Sequence, residues 1–450
     1  MTSRALSRNL AWTALLEFQK TQADLDQILD NLAHAGIPER DRALAWEISK
    51  GAVKYMRKLD YIAYSYVKAP MGKQKPGVIA ALRIGLYQLS EMTGIPKYAA
   101  VDETVSLLSE TGMKRDAGFV NAVLRAFIRE PEKAKFPDRA ADPARFLGTY
   151  YSYPDWLVKR WLERLGFEEA EKIMIAFNRR PPVFFKALGD RASAESVINS
   201  LNESGIAVEP GRFFPGYFAS AQAYEVLNSV QFKQGRMIAQ DESQGLPIQL
   251  LDPPKGAAVL DLCSAPGGKT VALADIVGPE GKVVSVDRDG KRLEFVRQAA
   301  ARVGLVNIEF VCKDVLQFAP AGKFGYILLD VPCSGLGTLW SNVDIRWTKK
   351  EGDIKALACQ QSRLLEKSAE FAANRGRLVY STCTTEPDEI ENVVTGFVEK
   401  NRQFSMGRSK NDMLKPFEDP DSFYRTWPHR HGIGGGGFAL LVKGDENQIS

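Results

Sequence analysis

The sequence predicts a multidomain chain: an all-α N-terminal domain, a helical linker, a small α+β subdomain and a C-terminal α/β domain on a mostly parallel sheet. Three observations carry this expectation. The chain has 450 residues, more than one core usually holds. Up to about residue 140 its apolar residues recur at helical spacing. From about residue 246 short apolar runs alternate with helical segments, the pattern of a parallel sheet covered on both faces.

The opening "MTSRALSRNLAWTALLEFQK" is amphipathic and helical. It lacks a long apolar stretch and a small-residue cleavage site, so no signal peptide is expected. In "KPGVIAALRIGLYQLSEM", Ile79, Leu82, Leu86 and Leu89 fall on one helical face. Pro76 stands near its start, where a missing N–H costs nothing. Phe119, Val123, Leu124, Phe127 and Ile128 repeat the period in "DAGFVNAVLRAFIRE". "FPDRAADPARF", rich in proline and aspartate, reads as a linker. The helical stretches "YPDWLVKRWLERLG" and "EEAEKIMIAFNRRPP" follow it. The boundaries are therefore a helical domain at 1–140 and a helical linker at 141–182. "VFFKAL" (strand), "AESVINSLNESG" (helix) and "FFPGYFAS" (loop and strand) make 183–245 a small α+β unit. From 246 to 450, "AAVLDLC", "KVVSVD", "IEFVCKD", "YILLDVP" and "GRLVYSTC" read as strands. "KTVALADIV", "GKRLEFVRQAAARVG", "QQSRLLEKSAEFAA" and "EIENVVTGFVEK" read as helices. Ligands of such sheets sit at the carboxyl ends of the strands.

Composition excludes several classes. Hydrophobic residues make up 45% and charged residues 25%, ordinary for a globular protein. No apolar run reaches the roughly 18 residues that span a bilayer, so no membrane partner is expected. The five cysteines (263, 312, 333, 359 and 383) are odd in number and widely spaced. They do not make a disulfide framework, and a reduced, cytoplasmic monomer is expected. No CxxC occurs and only three histidines (34, 429 and 431) exist, so no structural zinc site is expected. Net charge is +4, but residues 1–135 hold 20 Lys+Arg against 15 Asp+Glu. That excess reads either as a nucleic-acid surface or as an ordinary solvated helical surface.

"VLDLCSAPGGKT" is a strand, a glycine-rich turn and a helix start. Two glycines let the backbone approach a ligand, and the helix start offers free N–H groups. It is neither GxxxxGK[ST] nor GxGxxG. Asp287 ends the next strand, nineteen residues after Gly268, where an acid accepts hydrogen bonds from ribose hydroxyls. Asp314 ends the strand after that, beside an adenine edge. An adenosine-bearing cofactor follows, although a turn or cap role is the plain alternative for each acid.

Cys333 follows Asp330 in "LLDVPCSGLG", and Cys383 follows a strand in "VYSTCTTEPDEIE". Strand-end loops of one parallel sheet converge on one rim, so the two thiols should meet. The helical stretch after Cys383 would lower its pKa. A thiolate, an acid and an adenosine cofactor together fit carbon methylation of a pyrimidine. Thiolate addition to C6 of cytosine makes C5 nucleophilic toward the methyl group of S-adenosylmethionine. Cys312, within a strand, and Cys359, on a helix, read as buried apolar cysteines.

"DLCSAPGGKT", "DVPCSGLGTL" and "YSTCTTEPDEIENVV" resemble the motifs of the RNA 5-methylcytosine methyltransferases, the Sun group. "LDYIAYSYVKAP", "RIGLYQL", "IPKYAAVDETV" and "FVNAVLRAF" are similar to the NusB-like helical domain of the RsmB-type 16S rRNA members, and "YPDWLVKRW", "NRRPP" and "QDESQGLP" extend the likeness over nearly the whole chain. The resemblance implies a Rossmann-like S-adenosylmethionine methyltransferase domain acting on 16S rRNA. It implies Cys383 as nucleophile and Cys333 as the thiol that helps release the product. It also implies that Cys263, Ser264, Ala265, Pro266, Gly267, Gly268 and Lys269 surround the cofactor. Asp287 would hold its ribose and Asp314 its adenine. Asp330 would border cofactor and cytosine, and Lys269 would face the active site. The α+β unit would take part in RNA recognition. The same chemistry on tRNA and a non-catalytic RNA-binding factor are the other readings; the NusB-like domain favours rRNA, and the two cysteines with Asp330 favour an enzyme. Gly436-Gly437-Phe438 departs from the Asp-Gly-Phe of the family's last hairpin, and the four-glycine run before Phe438 is expected to be a mobile loop.

Overall fold

The computed structural model describes residues 3–33, 36–67 and 73–445, so His34 lies outside the described residues. The chain divides into two compact units, 1–179 with 339–350, and 180–338 with 351–450.

The first unit is helical: α1 (Ser3–Thr21), α2 (Leu25–Leu32), α3 (Glu39–Lys54), α4 (Met56–Tyr66), α5 (Pro76–Ser90), α6 (Lys97–Glu110), α7 (Lys114–Arg129), α8 (Pro143–Tyr150) and α9 (Asp155–Asn178). Side-chain caps start two of them: Asp24 accepts from the Gln27 amide and Asp142 from the Arg145 amide. The period of α5 predicts one apolar face, but the helix is buried nearly all round, with Val78, Ala81, Ile84 and Leu86 all in the core. It is the central helix of the unit, and small residues on its remaining faces let neighbours close in. In α7, Val120 takes the core position expected for Phe119, which is exposed. In α9, Gly166 breaks the helical dihedrals (φ 75°), which separates the two helical stretches read from the sequence.

Residues 339–350 pack into this helical unit although they follow the Cys333 loop in sequence. Val343 joins Ala14, Phe18, Leu25, Ile28 and Leu29 in one apolar cluster. Arg346 is fully buried. Its guanidinium donates to the carbonyls of Lys54, Ser152 and Leu339 and to Asn178 Oδ1, and lies 4.2 Å from the centre of the Tyr153 ring. Trp347 Nε1 donates to the Val53 carbonyl at 2.7 Å.

The second unit begins with β1 (Val183–Ala187), α10 (Arg191–Glu203), β2 (Glu209–Pro210), β3 (Tyr217–Ser220), α11 (Ala223–Asn228), α12 (Val230–Lys233) and β4 (Met237–Ala239). Its antiparallel sheet, ordered β2-β3-β1-β4, encloses its own core of Phe185, Val197, Leu201, Phe218 and Met237. There follow α13 (Gly245–Leu251), β5 (Ala258–Leu262), α14 (Gly268–Val277), β6 (Lys282–Asp287), α15 (Gly290–Arg302), β7 (Ile308–Cys312) and β8 (Phe324–Asp330). After α16 (Ile345–Thr348), within the strap formed by residues 339–350, come α17 (Glu351–Ala369), β9 (Ala372–Thr382), α18 (Glu391–Lys400), β10 (Phe404–Gly407), β11 (Phe423–Thr426), α19 (Pro428–His431) and β12 (Gly436–Lys443). The large sheet runs β10-β12-β9-β8-β5-β6-β7, with β11 also paired to β12. The strands β9-β8-β5-β6-β7 are parallel, and β12 runs antiparallel to β9. Strand order reverses between β5 and β8, which opens a crevice at their carboxyl ends.

Two expectations fail here. Cys312 and Cys359 are exposed, not buried, because β7 is the edge strand and Cys359 sits on the outer face of α17. The four-glycine run is buried and enters β12, where Gly437 pairs with Thr382. It is not a free loop: the Gly435 amide donates to the Gly337 carbonyl at 2.8 Å, and the Gly337 amide donates to the Cys383 carbonyl at 3.0 Å.

Candidate active site

The crevice above β5 and β8 holds a cavity of about 520 Å³ lined by Cys263, Ala265, Pro266, Lys269, Asp287, Asp314, Asp330, Cys333 and Cys383, among others. On the β5 side, Cys263 has φ 58° and Gly267 φ 105°. This turns the chain sharply into α14. A Cβ on Gly267 would come 2.7 Å from Val296 Cγ1, so only glycine fits beneath α15. Ser264, Gly267 and Gly268 shape the turn but do not line the cavity. The Ser264 hydroxyl points into the sheet, within 2.8 Å of Ser285 Oγ. Burial pushes the Cys263 thiol up, with the neighbouring acids adding to it.

Asp287 is buried and accepts from the Ala265 amide at 3.1 Å and the Asp289 amide at 2.9 Å. It thereby ties the glycine-rich turn to the end of β6. Asp314 accepts from the Leu316 amide at 2.9 Å. Val315, Leu316, Pro332 and Leu364 add an apolar wall beside it. The volume is that of a small-molecule site, and strand-end carboxylates beside an apolar wall suit a ribose diol and a flat base. The residues therefore fit S-adenosylmethionine.

At the other end of the cavity the two thiols meet. Cys333 Sγ and Cys383 Sγ are 2.9 Å apart, hydrogen-bonded and not covalently joined, and both are partly buried. Beside them Lys269 Nζ donates to Asp330 Oδ2 at 2.7 Å, and Ser381 Oγ donates to Asp330 Oδ1, also at 2.7 Å. Lys269 also donates to Gln244 Oε1. The Cys383 thiol is held below its ordinary value. The hydrogen bond from Cys333 is the main cause, aided by the Lys269 ammonium and opposed by burial and by Asp330. The same hydrogen bond drives the Cys333 thiol well up, and burial adds to it. For Lys269, burial works against the charge, but the Asp330 carboxylate outweighs it and the ammonium is stabilised.

The helix expected to activate Cys383 does not touch it: α18 starts at Glu391, and a short 3₁₀ turn, Pro387–Glu389, intervenes. The lowering comes from side chains instead. The sequence reading also missed Gln244, Ser381 and Arg292, whose guanidinium donates to the Ala265 carbonyl at 2.8 Å. Only Ser381, next but one before Cys383, carried a signal of position.

Three family models match the chain in order: the NusB family over residues 5–129, the ferredoxin-like domain of RsmF/B-like methyltransferases over 153–226, and the 16S rRNA methyltransferase RsmB/F family over 248–441. The chain is 32% identical to "Probable ribosomal RNA small subunit methyltransferase B" of Bacillus subtilis, across 95% of this chain and 96% of that one. It is 31% identical to ribosomal RNA small subunit methyltransferase B of Citrobacter koseri, across 87% and 90%. Among solved structures, PH0851 superposes with a TM-score of 0.78 at 24% identity over 98% of this chain and 99% of that one, a likeness of fold. A methyltransferase homologue from Pyrococcus horikoshii gives 0.57 at 28% identity, over 65% of this chain and 96% of that one. With a relative matching over 95% of this chain and a crevice fitted to S-adenosylmethionine, the chain belongs to the S-adenosylmethionine-dependent ribosomal RNA small subunit methyltransferase B family.

Proposed function

We propose that this protein methylates C5 of a cytosine in 16S rRNA through a covalent bond between Cys383 and C6, and that Cys333 helps resolve the adduct. The observation that carries the reading is the pair of thiols 2.9 Å apart beside the Lys269–Asp330 ion pair. S-adenosylmethionine, held through Asp287 and Asp314, supplies an electrophilic methyl group. The protein's own groups do the rest. Cys383, the thiol with the lowered pKa, attacks C6 as thiolate. The electrons pushed into the ring are met by Lys269, the nearest ammonium donor. Asp330, which accepts hydrogen bonds on both oxygens, suits the exocyclic amine of the same base. Once the Cys383 sulfur is bonded to C6 it carries no charge. Cys333 then loses the neighbour that kept its own proton on. With its own proton released to solvent, Cys333 accepts the C5 proton as a thiolate, and the Cys383–C6 bond breaks as the ring regains its double bond and Cys383 leaves as thiolate.

The buried target atom requires an unstacked or looped-out cytosine. The NusB-family match and the likeness to a small-subunit relative over 95% of this chain support rRNA over tRNA. On incubation with 16S rRNA and S-adenosylmethionine, Cys333→Ala is expected to accumulate an enzyme–RNA species that survives a denaturing gel. Cys383→Ala and the double variant are expected to give neither adduct nor methylation. Trapping in Cys383→Ala alone would reverse the two roles, and trapping in neither would remove the covalent route. Bisulfite sequencing of rRNA from a strain lacking the protein identifies the cytosine.

A further inference from the structure

The meeting of the two thiols depends on two loops that no covalent bond joins. The Cys333 loop is held from behind by groups that lie outside the cavity. Gln361, on α17, donates from Nε2 to the Pro332 carbonyl at 2.9 Å and to Glu389 Oε1 at 2.9 Å. The Ser334 amide donates to the same Glu389 oxygen at 2.8 Å. The Pro332 carbonyl belongs to the peptide unit before Cys333 and the Ser334 amide to the one after it. Both peptide planes that flank the Cys333 Cα are therefore pinned. The Tyr380 hydroxyl, on β9, donates to the Glu389 carbonyl at 2.6 Å and lies 3.2 Å from Gln361 Oε1, which fixes the clamp itself. Ser334 Oγ and Thr384 Oγ1 are 3.0 Å apart, joining the Cys333 loop to the residue after Cys383.

We propose that Gln361 and Glu389 are positioning residues that set Cys333 against Cys383 and so govern release of the methylated product; this rests on the role assigned to Cys333 above. Neither residue lines the cavity, and both are fully buried. Burying a carboxylate is unfavourable unless donors meet it, and here the Ser334 amide and Gln361 both do. What the carboxylate adds is one oxygen that gathers two donors, from Ser334 and Gln361, and so fixes a loop of otherwise small residues. Displacement of a reacting group by an ångström costs up to about a hundredfold in rate. The step most exposed to such a shift is the one that needs the two sulfurs side by side.

The test compares full-length Gln361→Leu, Glu389→Ala and Glu389→Gln with Cys333→Ala and the wild type. It measures single-turnover methylation of 16S rRNA, steady-state turnover, adduct on denaturing gels and S-adenosylmethionine affinity by calorimetry. Gln361→Leu and Glu389→Ala are expected to accumulate adduct as Cys333→Ala does. Their steady-state turnover should fall roughly 10–100-fold, with single-turnover methylation and cofactor affinity near wild type. Glu389→Gln, which keeps an oxygen for the Ser334 amide, should recover most of the turnover. Should Glu389→Ala fail to fold, Gln361→Leu carries the comparison. Wild-type turnover without adduct in both variants overturns the inference. So does a parallel loss of cofactor affinity and first-turnover rate, which marks a purely structural role. If Cys333→Ala itself forms no adduct, the role of Cys333 fails and this inference fails with it.

Discussion

Asp261 and Asp330 end up on neighbouring parallel strands under different chemistry. Asp330 meets an ammonium and a hydroxyl at the cavity. Asp261 is fully buried behind it and receives one hydrogen bond, from Thr270 Oγ1 at 2.6 Å. Burial pushes its carboxyl from 3.8 up to about 7, only partly offset by Thr270. A carboxyl raised in the folded state contributes stability below its unfolded value, and that contribution is lost as pH rises through the folded value. The window is therefore about pH 4 to 7, and the full effect is at most about 4 kcal/mol. Asp261→Asn keeps an oxygen for Thr270 and cannot ionise. Its thermal midpoint is expected to exceed that of the wild type at pH 8 and the difference to shrink toward pH 4. A difference independent of pH would mean that Asp261 does not titrate in that window.

Among the elements, the start of β12 has the tightest constraint. The chain of backbone hydrogen bonds from Gly435 to Gly337 to Cys383 brings three segments together without intervening side chains. A Cβ on Gly337 would collide with the Gly435 carbonyl, and one on Gly435 would come 2.9 Å from Gly337 Cα. Overpacking of this kind costs typically about 1–3 kcal/mol. Gly337→Ala is expected to lower the denaturation midpoint accordingly in a denaturant titration, and to lower activity further because Gly337 holds the Cys383 carbonyl. Repeated glycine signals either freedom or close approach, and only the partner strand distinguishes them. The parallel strands, their helices and the acids at their ends were legible, because period and spacing are local. The helix α17 starts nine residues before the stretch read as helical from the sequence, because Gly352 and Asp353 in its first turn are poor helix formers and read as a turn. Gln361 and Glu389 left no mark in the sequence, since a clamp on the backbone requires only that two distant polar side chains meet.

For the molecule as a whole, the basic excess of residues 1–135 remains on the helical unit, where Lys97, Lys114 and Arg115 are exposed. Lys97→Glu, Lys114→Glu and Arg115→Glu together are expected to weaken RNA binding. For every phosphate that goes unneutralised, the slope of log affinity against log salt should fall by about 0.7–0.9, measured at several salt concentrations. Unchanged affinity and slope would make this surface an ordinary solvated one. Point substitutions serve better than deletion of residues 1–135. Deletion would also strip residues 339–350 of the groups around Val343, Arg346 and Trp347.

That strap also sets an order of events during synthesis. The helical unit is N-terminal, yet part of its interior is encoded only after β8, at residues 339–350. A ribosome adding about 5–20 residues per second needs roughly 10–35 s to pass from residue 180 to residue 350. Through that interval the nascent helices present an unfilled slot, with the carbonyls of Lys54 and Ser152 and the side chain of Asn178 still waiting for Arg346. The first domain made is therefore not the first that can be completed, and it closes only after the Cys333 loop has left the ribosome.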